Sequence, residues 1–156
     1  VRAARPSALR RGWPANRQQE GGGVEEAFRA LLLARAQLMA LISADRVVFG
    51  DVLQGRAYPL ITMMTVSGAE GMTMRGPDGL FEGRVQVDCY AESMAEAKRL
   101  AREVIACLHG HRSTGTGPRF AGIFHETTRD GREGSTNDAD RPFRTSLDFT
   151  VHWRTR

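Results

Sequence analysis

Apolar residues along the chain switch from helical to alternating spacing and back, and this change of period divides the sequence into elements. Val24, Ala27, Phe28, Leu31, Leu32, Leu38, Leu41 and Ile42 recur three and four apart, predicting an amphipathic helix broken near Ala34 to Ala36. Glu25 and Glu26 stand in its first turn, where acidic groups meet the positive end of the helix dipole. Asp45 and Arg46 precede a short apolar run, Val47-Val48-Phe49, and Gly50 and Gly55 punctuate the loop that follows. Leu60 to Val66, just after Pro59, predicts a strand, and Gly68 and Gly71 predict a bent or bulged continuation into Met72-Thr73-Met74. Gly76-Pro77-Asp78-Gly79 reads as the reversing turn. The return, Gly83 to Ala91, puts Val85, Val87, Cys89 and Ala91 on one face and Arg84, Gln86, Asp88 and Tyr90 on the other.

Ser93-Met94-Ala95-Glu96 is a capping box, in which the serine oxygen accepts a first-turn amide hydrogen. It opens a helix with the apolar stripe Ala97, Leu100, Ala101, Val104 and Leu108, and Gly110 stands where a C-terminal glycine cap belongs. A Gly/Ser/Thr-rich loop, Ser113 to Pro118, leads to a strand over Arg119 to Thr128. Arg129 to Pro142 is polar and reads as a long exposed loop. In the last strand Phe143, Thr145, Leu147, Phe149, Val151 and Trp153 alternate with Arg144, Ser146, Asp148, Thr150, His152 and Arg154. The order α-β-β-β-α-β-β predicts an α+β fold, a largely antiparallel sheet with two helices packed on one face and with a long hairpin and a long loop as assembly arms.

Composition changes this picture in one respect. With 156 residues, 41% hydrophobic and 26% charged, the chain fits one compact unit, expected over residues 24 to 156. The net charge of +4 does not belong to that unit. Residues 1 to 23 hold Arg2, Arg5, Arg10, Arg11 and Arg17 against Glu20, which leaves 17 of the 22 basic and 17 of the 18 acidic residues for the remainder. The expected folded part is therefore neutral and presents no broad footprint for a phosphate backbone. The first 23 residues, with Pro6, Pro14 and three consecutive glycines, read as a flexible basic leader. They lack the apolar core of a secretory signal and no stretch suits a bilayer, so no membrane partner is expected. Glu20-Gly21-Gly22 can be encoded by a purine-rich run like a ribosome-binding site and Val24 by GTG, so a start at Val24 is an alternative to one at Val1.

Candidate chemistry is sparse. Cys89 and Cys107 fall on apolar faces and read as reduced, buried small hydrophobes. Cys107, His109 and His111 are closely spaced, but the first two lie about 200° apart on a helix, so no metal site is expected. His109, near a helix end, suits the dipole when protonated. Gly115-Thr116-Gly117 lacks the lysine of a phosphate loop, and Asp88 and Asp148 stand on polar strand faces with no recognisable acid/base partner. No enzymatic activity and no cofactor are expected.

Several segments together resemble one family. They are the helix Glu25-Glu26-Ala27-Phe28-Arg29-Ala30-Leu31-Leu32-Leu33, Asp45-Arg46-Val47, Pro59-Leu60-Ile61, Gly76-Pro77-Asp78-Gly79, Val85-Gln86-Val87-Asp88-Cys89-Tyr90, Ala95-Glu96-Ala97 and Arg144-Thr145-Ser146-Leu147-Asp148-Phe149. Their succession over residues 24 to 154 resembles the tail completion, or tail terminator, proteins of long-tailed phages and gene transfer agents. The resemblance implies a homohexameric ring that ends tail-tube growth and joins the tail to the head, with no catalytic residues. The implied partners are the tail tube protein, a head-tail connector protein and DNA passing transiently through the lumen. Assembly in the cytoplasm, then residence in the tail of a virion or gene transfer agent particle, is the implied localisation.

A ring needs heterologous contacts, in which one patch meets a different patch of the next subunit. Met72, Met74, Leu80 and Phe81, near the expected turn, are candidates for that interface; the alternative is a hairpin folded back on its own core. Arg129, Arg132 and Arg141 are candidates for contact with the tube or a neighbouring ring, against a merely solvated loop. Other functions consistent with the sequence are a head-tail connector or neck component, or a small metal-dependent enzyme or nucleic-acid-binding module.

Overall fold

The computed structural model describes residues 22–50, 57–113, 119–134 and 141–154. The leader as far as residue 21, the Gly115-Thr116-Gly117 loop, Gly55 and the Ser-Thr-Asn-Asp run at 135–138 lie outside the described residues.

The predicted break divides the first helical stretch into α1 (Gly22–Leu33) and a single turn, α2 (Ala36–Met39). Arg35 adopts extended backbone between them, at φ −82° and ψ 103°, and its guanidinium reaches Glu103 of the second long helix at 3.3 Å. Arg29 ties α1 to the next segment by donating from Nε to the Val47 carbonyl and from Nη2 to that of Ala44, both at 2.8 Å. A 3-10 turn (Ala44–Arg46) then delivers β1 (Val47–Phe49).

The remaining elements are β2 (Leu60–Thr73), β3 (Gly76–Ala91), α3 (Met94–Leu108), β4 (Arg119–Arg132) and β5 (Phe143–Arg154). They form one five-stranded sheet in the order β1-β2-β3-β5-β4. It is an α+β arrangement, antiparallel at every seam except that β1 runs parallel to β2, with Val47 beside Ile61. The bend expected from Gly68 and Gly71 is present as register shifts between Thr65 and Ser67 and between Glu70 and Met72. The capping box forms, with Ser93 Oγ accepting the Glu96 amide at 3.3 Å. Gly110 ends α3 at φ +77°, which a side chain would oppose.

The core lies between one sheet face and the helices. Phe28, Leu32, Leu38, Leu100, Val104 and Leu108 from the helices meet Val47, Met63, Val87, Ile123, Leu147, Phe149 and Val151 from the strands. Phe28 sits at its centre, edge-on to Phe120 and Phe149 with ring centroids 6.1 and 6.3 Å away. Burying each large side chain of this kind contributes roughly 1.5–3 kcal/mol, so the face that alternates inward determines how the sheet lies. Its opposite face carries the polar half of each strand, and no helix among the described residues lies over it.

Two sequence expectations are corrected by pairing. The turn joining β2 to β3 is Met74-Arg75, and Gly76-Pro77-Asp78-Gly79 belongs to β3. Thr73 pairs with Gly76, which takes the positive φ of +116° that the reversal needs, one residue after the turn. Pro77 is tolerated in this strand because β5 pairs with β3 only from Leu80 onward, so its missing N–H faces no second neighbour. Arg129 to Arg132, expected in a loop, continue β4 and pair with Ser146 to Phe143. Those residues extend the strand because each finds a partner on β5, a long-range pairing that local polarity does not announce.

Candidate functional site

Beyond Leu80, opposite the last residue of β5, the β2–β3 pair stands as a hairpin with no further strand beside it among the described residues. Thr73 stiffens its tip, donating from Oγ1 to the Gly76 carbonyl at 2.9 Å and accepting the Arg75 amide at 3.2 Å. Asp78 Oδ1 accepts the Leu80 amide at 2.9 Å on the returning strand. Of the four apolar candidates, Met72 is 74% exposed and Met74 fully so. Leu80 and Phe81 are half-buried, and Phe81 stacks on Trp153 at 5.5 Å with an interplanar angle of 15°. The hairpin base is thus fastened to its own core while the two methionines project into solvent.

The three candidate arginines sit at the far end of the β4–β5 pair. Arg132 places its guanidinium 4.4 Å over the Phe143 ring and donates to the Arg141 carbonyl at 2.8 Å. Arg141 returns bonds to the carbonyls of Glu133 at 3.3 Å and Arg132 at 3.5 Å. Together they stitch the strand ends, with Glu133 N donating to Pro142 O at 3.1 Å. Arg129 points elsewhere, onto the polar sheet face.

On that face Asp148, a polar strand residue with no partner recognisable from the sequence, gathers three. Asp148 lies in a central strand and its side chain is only 4% exposed. Its Oδ2 takes Arg129 Nη2 at 3.0 Å, Arg84 Nη2 at 3.5 Å and the Thr127 hydroxyl at 2.9 Å. A buried carboxylate persists when paired and hydrogen-bonded in this way. Asp88, on the neighbouring strand, accepts both of its short contacts from Gln86 Nε2, at 2.9 and 3.1 Å. Tyr90 stands on the same face but is buried; burial first, then the Asp88 charge, raises its phenol above the ordinary range, against a hydrogen bond from Arg144. The signal in the sequence was the position of Asp148 at the middle of a strand with strong alternation on both sides.

The residues weighed as metal ligands do not converge. Cys107 Sγ donates to the Leu31 carbonyl at 3.2 Å, His111 packs edge-on to Phe120, and His109 Nδ1 accepts the His125 amide at 3.0 Å. His109 therefore braces β4 through a ring nitrogen. Both cysteines are free thiols. Burial pushes each thiol up, Cys89 far more, because it is wholly enclosed and the Asp88 charge adds to the effect. Cys107, half-buried, departs from the expectation of two buried thiols. Among the described residues no three His, Cys, Asp or Glu side chains are grouped to hold a metal ion.

A family model described as "Tail completion protein gp17" matches residues 26–154. The chain belongs to the tail completion protein family. The match takes in α1 from residue 26 and every later element to β5, with the projecting methionines, the stitched β4–β5 end and the Asp148 cluster. The family makes structural parts of phage-like tails, and this tail completion protein is a tail structural subunit of that class.

The fold is also similar to a chain of a solved structure titled "Virion of native gene transfer agent (GTA) particle". The TM-score is 0.65 at 22% identity, covering 86% of this chain and 96% of that one. No curated protein sequence matches the chain. No helix among the described residues of this family member is long and apolar enough to cross a membrane.

Proposed function

We propose that the protein forms a homohexameric ring that ends growth of the tail tube and joins the tail to the head. The observation that carries this reading is the family match, which runs from residue 26 to 154. The resemblance in fold to a chain of a gene transfer agent virion supports it. In this reading the tail tube protein seats on one side of the ring, a head-tail connector protein on the other, and DNA crosses the lumen in transit. The subunit makes and breaks no bond.

Met72 and Met74 suit a subunit contact, because flexible thioether side chains adapt to a neighbour and are costly to leave in water. Leu80 and Phe81 support the hairpin base from which these methionines project. Arg132 and Arg141, at the opposite end of the sheet, suit contact with the tube or a neighbouring ring. Assembly takes place in the cytoplasm and the finished ring resides in the particle tail.

The test is microscopy of purified protein, alone and with tail-tube protein. Closed rings with a central hole, and tubes held at finite length when the protein is present, are the expected result. A strict monomer that never caps tubes defeats the proposal. Rings that bind the head vertex but leave tube length unregulated indicate the alternative, a neck component.

A further inference from the structure

Two stretches of strand edge are left without a partner, and they lie at diagonally opposite corners of the sheet. β1 covers only Ile61 to Met63 on the outer edge of β2, and Gly50 N takes the Met63 carbonyl. From Thr65 to Thr73 that edge is open among the described residues. On the far side of the sheet, the chain itself closes the first half of the outer edge of β4. Gly110 N donates to Ile123 O at 2.7 Å, Ser113 N to Phe120 O at 3.0 Å, and His125 N to His109 Nδ1 at 3.0 Å. From Thr127 to Arg132 no backbone group of another segment covers the edge among the described residues; side chains meet it only at its two ends, where the Thr127 carbonyl lies 3.1 Å from His125 Nε2 and the Arg132 carbonyl accepts from Arg141 Nη2 at 3.5 Å. Neither open stretch contains lysine or proline, the residues that commonly blunt an edge against further pairing.

We infer that the open edge of β2 in one copy pairs with the open edge of β4 in the next, an inference that rests on the ring reading above. Strand polarity permits it. β2, β3, β5 and β4 alternate in direction at every seam, so a second copy generated by rotation brings its β2 antiparallel to the β4 of the first. A set of four alternating strands per copy makes each new seam antiparallel as well, and the contact is heterologous, as a ring requires.

The positions of the two open stretches set the stagger. Ala69 lies in the cross-strand row Ala69, Glu82, His152 and Gly122, whereas the open stretch of β4 is centred near Arg129. Successive copies are therefore offset along the strands by about seven residues, or about 23 Å, across four strands spanning about 19 Å. This ratio corresponds to a strand tilt of about 50°, near the 35–45° that closed barrels adopt. With the right-handed crossover usual for a unit such as β3-α3-β4 and the right-handed twist of strands, the sense of the offset puts the helices outside. The polar face bearing Arg84, Asp148 and Arg129 then lines the lumen.

Charge supports the same pairing. Glu70 is the one charged residue from Thr65 to Thr73 and is exposed. In Thr127 to Arg132, Asp148 already holds Arg129 at 3.0 Å and Lys98 holds Asp130 at 2.7 Å, which leaves Arg132 as the charge at the end of this edge. The occupant of each edge is thus a second copy of this chain.

Hydrogen exchange on assembled rings, compared with the same protein diluted to monomer, tests the seam without any substitution. Amides in Thr65–Thr73 and Thr127–Arg132 are expected to slow at least about tenfold on assembly. As a second measurement, Ala69→Cys combined in turn with Thr127→Cys, Arg129→Cys or Gly131→Cys is oxidised in the assembled state. One pair is expected to give a ladder of covalent multimers that no single variant gives. Rings with unchanged exchange in both stretches and no ladder overturn the strand seam while leaving the ring intact. Failure to form rings even with tail-tube protein overturns both.

Discussion

Arg129 reaches diagonally across the β4–β5 ladder to Asp148, its Nη2 3.0 Å from Oδ2, although the residue directly opposite Asp148 is Thr127. Arg84 approaches the same oxygen from β3 at 3.5 Å, so three strands are tied through one carboxylate. The guanidinium side chains remain 50% and 61% exposed, whereas the carboxylate is almost wholly enclosed.

That asymmetry predicts unequal effects of substitution. Asp148→Ala frees two arginines that water can solvate and is expected to cost about 1–3 kcal/mol, mainly through lost hydrogen bonds. Removing both arginines leaves the buried carboxylate with the Thr127 hydroxyl alone and is expected to cost more, about 3–5 kcal/mol. Urea unfolding of the two variants beside the parent checks the order. A double arginine variant as stable as the parent would show that the cluster does not hold the sheet.

Gly83 of β3 pairs with Gly68 of β2 on one side and Val151 of β5 on the other. A Cβ there would lie 2.5 Å from the Ser67 carbonyl oxygen and 2.8 Å from the Trp153 ring, and the backbone oxygen has no flexible side chain to yield. Gly83→Ala is expected to lose about 1–3 kcal/mol by overpacking. Gly131→Ala, with nothing within 4 Å, is expected to change stability by less than about 0.5 kcal/mol. Thermal melts of the pair provide the comparison, and equal melting temperatures would contradict the expectation.

Asp130 connects pH to stability. The hydrogen bond from Lys98, at 2.7 Å, holds its carboxyl below the usual carboxylate value, and the Thr145 hydroxyl at 3.0 Å acts in the same direction. A carboxyl whose folded pKa is depressed adds stability that is full above its unfolded pKa and is lost as pH falls through the folded one. The contribution is therefore present at neutral pH and disappears in the acid range below about pH 4. Lys98→Met is expected to flatten the acid limb of a stability-against-pH curve while changing little in its shape above pH 6. An unchanged acid limb would remove Lys98 as the cause.

The projecting methionines separate folding from assembly. Met72→Asp and Met74→Asp, at exposed positions, are expected to alter monomer stability by less than about 0.5 kcal/mol. In a ring contact the same changes place a charge in an apolar interface and are expected to weaken assembly at least about tenfold. Denaturant unfolding of the monomer and sedimentation of the assembled state measure the two effects. Rings as stable as those of the parent would place the hairpin tip outside the subunit interface.

The elements themselves were legible in the sequence because their determinants are local. The three-and-four spacing of α1, the Ser93 cap and apolar stripe of α3, and the alternation of β3 and β5 each act within one element, and each stands where its pattern put it. The candidate site was only partly legible. Exposed methionines at a hairpin tip follow from glycine punctuation and strand length, but the tip moved to Met74-Arg75 because pairing of Thr73 with Gly76 placed the positive φ after the turn. Phe81 turned inward because Trp153, distant in sequence on β5, offers it a flat ring.

Only the tertiary structure decided that Arg129 to Arg132 form strand, that Asp148 is enclosed, and that the two open edges lie at opposite corners. Each depends on which strand stands next to which, the order β1-β2-β3-β5-β4. A hydrophobic period of two specifies the face a residue occupies but is silent about its neighbour across the ladder. The sequence alone therefore determined one apolar and one polar sheet face. The tertiary pairing determined where that polar face binds itself together and where, among the described residues, the sheet edges remain open.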